Sequence, residues 1–218
     1  MDQQIVIKAY QKDWGEEYIK EKEKFCSLLG QEIIAVEHIG STAVEGLGAK
    51  PLIDMMIGVT ELQIAEKWIE VLSEIGYEYV PKDATNWRFF RKGKWRAGTH
   101  HLHIYIYNSD EWRNNILFRD FLISHEWARK EYRELKERLA ITYAFDRVSY
   151  TKAKAPFIRK ILELARFHKF IDSYLTSFET SSYTFYRERI FFITKYIISN
   201  YWRQTILFIL IFLVHWKY

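Results

Sequence analysis

VEHIGSTAVEGLGAKPLIDMMIGV, residues 36–59, decides the reading of this chain. A strand-like run ends in a glycine turn, Gly40-Ser41. A second apolar run, PLIDMMIGV at 51–59, carries one acid, Asp54. Its apolar residues fall on both faces, which suits a strand inside a sheet. A charge placed there is costly unless something pairs with it. Asp54 is therefore either a satisfied structural acid or a group that faces a cation. Glycine lets a backbone come close to a phosphate, whose oxygens neighbouring N–H groups can cradle. A carboxylate on the next strand can hold a divalent metal against the same phosphates. The commoner phosphate loops are excluded, because Lys50 is followed by Pro51 and no G-x-G-x-x-G follows Gly46.

The flanking segments give the fold class. Residues 13–30 read as an amphipathic helix capped by Asp13, with Tyr18, Phe25, Leu28 and Leu29 as its apolar stripe and Gly30 as its stop. Residues 33–39 read as a strand and 61–75 as a helix ended by Gly76. Residues 77–80, 86–92 and 100–107 read as strands, the last with His101, His103 and Tyr105 on one face and Leu102, Ile104 and Ile106 on the other. From Asp110 onward three helical patterns follow, at 110–125, 126–145 and 148–169. The expected class is α+β: a mixed sheet flanked by helices, with a C-terminal helical portion.

The chain has 218 residues, 49% of them hydrophobic, enough for one good core and crowded for two. Its net charge of +4 fits a protein that handles phosphates and does not call for nucleic acid. The single cysteine, Cys26, forms no intramolecular disulfide, and the N-terminus reads as no signal peptide, so a cytoplasmic location is expected. Residues 1–170 form the expected domain. Residues 171–218 are an aromatic-rich extension ending in an apolar run at 205–216. That run is short for a bilayer span at about 1.5 Å per residue, and membrane association through it is an open alternative to an inert tail.

Three further groups carry chemistry. His101 and His103 share a strand face, so both imidazoles can reach one metal ion; otherwise they satisfy buried backbone or acids. His38, next to the turn, belongs to the same neighbourhood. Residues 86–98, NWRFFRKGKWRAG, are basic and aromatic without an acid. Arg88 or Arg91 can clamp an anion, while Lys92-Gly93-Lys94 reads as a solvated hairpin turn. Lastly, Arg119, Asp120, Lys136, Asp146, Arg147, Tyr150 and Lys154 are polar positions inside helical patterns, and Tyr150 and Lys154 share a helix face.

HIGSTAVEGLGAKPLID at 38–54 resembles the signature of the GrpB family, which usually has proline where this chain has Glu45. THHLHIYIYNSDEW, FRDFLISH, YRELKERLA and DRVSYTKAKAPFI match that family's later blocks in order, so the resemblance spans about residues 4–168. The family is similar to the nucleotidyltransferase fold. The resemblance implies a nucleoside triphosphate held with a divalent metal, Mg²⁺ or Mn²⁺, while the two imidazoles also suit Zn²⁺. It implies Gly40 and Ser41 at the phosphates, with Thr42 next to them, Asp54 as metal ligand, and Lys154 neutralising phosphate or the leaving group; in a transferase Lys50 and Arg88 would join Lys154 in offsetting charge, with Arg91 the alternative anion contact. The acceptor would be an unknown small molecule or protein. The superfamily pattern D-x-D has a second acid where this chain has Met56, and Glu37 is the nearest substitute. Two readings follow: a nucleotidyltransferase, or a degenerate accessory module that binds a nucleotide or coenzyme phosphate without turnover.

Overall fold

Five strands form one mixed sheet in the computed structural model, which describes residues 4–94 and 97–176. In chain order the elements are α1 (Asp13–Leu29), β1 (Ala35–Ile39), β2 (Ile53–Val59), α2 (Ile64–Lys67), α3 (Ile69–Glu74), β3 (Tyr77–Tyr79), β4 (Trp87–Lys94), β5 (Ala97–Ile106), α4 (Asp110–Ser124), α5 (Glu126–Thr142) and α6 (Arg147–Thr176). The strand order is β1-β2-β5-β4-β3. Only β2 and β5 run parallel; the other pairs are antiparallel. The class is α+β, as the order of segments required.

The all-apolar reading of β2 holds because both its faces are covered. Ile53, Met55, Ile57 and Val59 join Leu102, Ile104 and Phe90 in a core closed by Trp14, Phe25 and Leu29 of α1 and by Trp68 and Leu72 of the second helical segment. On the other face Met56 packs with Ile39, Tyr105 and Trp112. Ser109 caps α4 by accepting from the Trp112 amide at 3.3 Å. Asp146 does the same for α6, accepting from the Ser149 amide at 3.0 Å. The chain divides into two compact units, Met1–Leu162 and Glu163–Tyr218; sheet and candidate site lie in the first. Among the described residues no helix is long and apolar enough to cross a membrane. The 205–216 run lies outside the described residues.

Several local expectations are corrected. Leu28 is exposed, and the buried stripe of α1 is Trp14, Glu21, Phe25 and Leu29. Asp13 lies inside the first turn and does not cap it. The 61–75 helix is two pieces interrupted at Trp68, whose indole N–H donates to Glu32 at 3.1 Å. Lys92-Gly93-Lys94 is not a hairpin turn. Gly93 sits at a bulge with φ +98°, against the Thr99 backbone, and β4 continues through Lys94.

Glu21 stands in the α1 stripe because it is fully paired. It accepts from Lys24 at 2.6 Å, from Lys92 at 3.0 Å and from Tyr77 Oη at 2.8 Å. Burial alone opposes ionisation of Glu21, but these three donors outweigh it and hold its pKa below the usual range. Replacing Glu21 with alanine strands the Lys92 ammonium and the Tyr77 hydroxyl. The expected loss is about 3 kcal/mol of stability, read by urea denaturation of the full chain.

Candidate functional site

β1 ends at Ile39 and is followed by Gly40, with φ +70° and ψ −166°, a backbone that only glycine adopts easily. A Cβ there would lie 2.6 Å from Asp54 Oδ2, so the turn is seated directly on the carboxylate. Register explains the contact, because Ile39 pairs with Asp54 across β1 and β2. The chain then makes a short turn over Ser41–Ala43. Thr42 pins that turn from beneath: its hydroxyl bonds the Leu52 carbonyl at 3.3 Å and His38 Nε2 at 3.0 Å.

Ser41 meets a buried lysine. Lys136 Nζ donates to Ser41 Oγ at 3.0 Å and also to the Gly48 carbonyl. Burial, and then the charge of Lys154, push the Lys136 pKa down to about 7. Lys50 and Lys154 lie over the Tyr150 ring at 5.4 and 4.6 Å. Burial and the Lys50 charge bring Lys154 down to about 8, with Asp54 pulling the other way. Lys50 is lowered too, chiefly by burial. Buried Lys136 and the partly buried Lys50 and Lys154 put more positive than negative charge near the Ser41 turn, and such a site favours a polyanion.

The parallel pairing of β2 with β5 sets Asp54 opposite His101 and Met56 opposite His103. One ligand atom from each of Asp54, His101 and His103 lies within 4.8 Å of the other two. Two ligands of one ion at about 2.1 Å each stand at most about 4.2 Å apart, so a spread within 4.8 Å closes on a single metal with a small side-chain adjustment. His103 Nδ1 is buried without a hydrogen-bond partner, which leaves it open to a ligand; His100 Nε2, on the other face of β5, is in the same state. Burial also drives the His103 pKa down to about 4, so the ring is neutral and its lone pair available. His101 Nδ1 meets Asp54 Oδ1 at 3.0 Å. Burial opposes ionisation of Asp54, yet the His101 hydrogen bond and the neighbouring positive charges hold its pKa below the usual carboxylate range.

Chain-wide likeness agrees with these blocks. The family model described as GrpB protein matches residues 4–164. The chain belongs to the GrpB family. It is 33% identical over 164 residues to the glutamate-rich protein GrpB of Alkalihalophilus pseudofirmus, covering 73% of this chain and 94% of that protein. To the YqkA protein of Bacillus subtilis it is 34% identical over 165 residues, 74% of this chain and 47% of that longer protein. A crystal structure of conserved protein GrpB from Enterococcus faecalis superposes with a TM-score of 0.69 at 33% identity, covering 73% of this chain and 96% of that one.

Within this GrpB chain the expected site residues separate by strand face. Gly40, Ser41, Lys50, Asp54, His101, His103, Tyr150 and Lys154 gather on one side. Thr42 is committed beneath the turn. Arg91 lies on the His101 face and donates to Glu78 at 2.9 and 2.7 Å. Arg88 is not brought to the site: strand alternation turns it to the helix-covered face, where it pairs with Glu66 at 3.3 Å. His38 points to that same face, stacked on Tyr18 at 4.8 Å. Glu37 shares the Asp54 face but is taken by Arg119 at 2.6 Å, and Arg119 also donates to the His38 carbonyl. Met56 is fully buried among apolar neighbours, so no second carboxylate stands there. Lys136, named from the sequence as a polar position in a helical pattern but given no partner, is placed by the structure at the Ser41 turn. Its signal was spacing: Ala128, Tyr132 and Lys136 recur at intervals of four, on the buried stripe of α5.

Proposed function

We propose that this GrpB chain holds a nucleoside triphosphate with a divalent metal and transfers its nucleotidyl group to an acceptor. The observation that carries this is the adjacency of Asp54, His101 and His103 to the Ser41 turn with its buried lysines. The nucleotidyltransferase-like fold that the family resemblance implies supports it. In this reading an acceptor oxygen, already ionised or giving up its proton to solvent, bonds to the α-phosphorus while the bond from the α-phosphorus to the bridging oxygen breaks, and pyrophosphate leaves. Ser41 and the backbone after Gly40 receive the β- and γ-phosphates. Lys50 and Lys154 offset the charge that grows on the leaving pyrophosphate, and Lys136 fixes the Ser41 hydroxyl. A bound metal supplies Lewis-acid polarisation of the α-phosphate. The mixed imidazole and carboxylate set favours Mn²⁺ or Zn²⁺ over Mg²⁺. Transfer of this kind depends chiefly on positioning and charge.

A second reading is retention of a nucleotide or coenzyme phosphate without turnover. The burial of Met56 where a second acid would stand favours it.

The test is calorimetry of the full chain with ATP, GTP, CTP and UTP, each with Mg²⁺ or Mn²⁺, paired with an assay of pyrophosphate release. The expected result is that metal tightens nucleotide binding about tenfold, and that Asp54→Ala removes this gain. Binding without pyrophosphate release over a range of acceptors would support retention. No binding of any nucleotide would overturn the transfer reading and nucleotide retention alike, leaving retention only for a coenzyme phosphate.

A further inference from the structure

On the β4 side of Asp54, His101 and His103 the sheet face opens into a hollow of about 390 Å³. Trp87 and Phe89 form its floor, and they also back the two histidines. The Trp87 ring centroid is 5.3 Å from that of His103, and the Phe89 centroid is 5.0 Å from that of His101. Its rim carries Lys82, Arg91, Lys94 and Arg147, and among its described lining residues none is acidic. Lys82 Nζ hangs over the Phe89 ring at 5.3 Å. Arg91 is engaged by Glu78. No carboxylate pairs with Lys82 or Lys94 among the described residues.

We infer that this hollow seats the acceptor, and that the acceptor is an anion carried on a flat, apolar body. The inference rests on the nucleotidyl-transfer reading above. The aromatic floor binds a planar group by stacking. The nucleoside half of a triphosphate is neutral, so the Lys82 and Lys94 charges on the rim, which no carboxylate among the described residues pairs, are wasted on it. An anionic second ligand uses both features.

The sheet order is β1-β2-β5-β4-β3. The Ser41 turn follows β1, Asp54 lies on β2, the histidines on β5 and the aromatic floor on β4. In-line displacement brings the attacking oxygen in opposite the departing pyrophosphate. With pyrophosphate on the lysine side, attack comes from the β4 side. Helix α6 gives the scale: Arg147 at the hollow and Lys154 at the phosphate pocket are two turns apart, about 10 Å. That leaves room for two ligands meeting at the metal ligands.

The experiment uses the full chain and naphthalene-2-sulfonate, an inert fluorescent aromatic anion, with neutral 2-naphthol as its control. The sulfonate is expected to bind saturably and about tenfold more tightly than 2-naphthol. Trp87→Ala is expected to weaken it about tenfold by loss of stacking. The double charge reversal Lys82→Glu with Lys94→Glu, at exposed positions that leave the core untouched, is expected to do the same. ATP with Mn²⁺ is expected to bind alongside the sulfonate without displacing it. Failure of the sulfonate to bind, or binding indifferent to these substitutions, overturns the inference. Displacement by ATP, with Trp87→Ala weakening ATP equally, also overturns it and makes the hollow the nucleoside seat. Sulfonate binding with no ATP binding overturns the acceptor role together with the transfer reading, and so separates that failure from the others.

Discussion

Replacing Lys136 with methionine is expected to weaken nucleotide binding about thirtyfold while the protein stays folded. Lys136 is a positioning residue: its ammonium holds the Ser41 hydroxyl and ties the turn to the Gly48 carbonyl. Methionine has nearly the same reach and volume but neither donor nor charge, so the core stays filled. The protonation behaviour of the site separates this role from simple packing. The folded Lys136 pKa, about 7, is below its ordinary 10.5. Between those values the unfolded chain binds more protons than the folded one, so stability rises with pH through that window. Lys154, at about 8, adds to the rise above pH 8. Urea denaturation at pH 7 and pH 9 is expected to show greater stability at pH 9, with a smaller difference in Lys136→Met. The negative charge of a bound polyanion favours the protonated lysines and outweighs their desolvation, so both pKa values rise and nucleotide binding at pH 8 takes up protons. Calorimetry in two buffers of different ionisation enthalpy reads that uptake directly. Lys136→Met reduces it; unchanged uptake and unchanged affinity would remove Lys136 from the account.

Gly40→Ala is expected to lower stability by about 3 kcal/mol and to impair the metal site as well. Two effects add. The backbone at φ +70° and ψ −166° is strained for any residue with a side chain. The new methyl group would lie 2.6 Å from Asp54 Oδ2, and the carboxylate has to turn away from His101 to admit it. Denaturation measures the first effect. Divalent-metal affinity of the folded variant, expected to fall about tenfold, measures the second. Wild-type metal affinity in a folded Gly40→Ala protein would mean that Asp54 and the turn are not one unit.

Much of this was legible in the sequence because simple periodicities governed it. The run at 51–59 is apolar on both faces since helices cover both faces of β2. The alternation at 100–107 placed His101 and His103 together, and the Gly40-Ser41 turn stood out beside the one acid of β2. What stayed hidden depends on pairings between distant segments. Asp54 and His101 meet only because β2 and β5 pair in parallel with that register, which no local pattern encodes. Arg88 and Arg91 are three residues apart, so strand alternation forces them to opposite faces and only Arg91 reaches the site side. Glu21 was masked by its charge, since its partners Lys92 and Tyr77 come from the far edge of the sheet. Lys136 was masked in the same way on α5.

Asp54, His101 and His103 are expected to hold one divalent ion. The most direct test is a titration of Mn²⁺ into the chelator-treated full chain, with free Mn²⁺ followed by electron paramagnetic resonance. One ion bound per chain is expected, lost in Asp54→Ala and in His103→Ala and retained in Arg88→Ala, whose side chain lies on the other face. Mn²⁺ binding that survives both Asp54→Ala and His103→Ala, or no binding of Mn²⁺ at all, would contradict it.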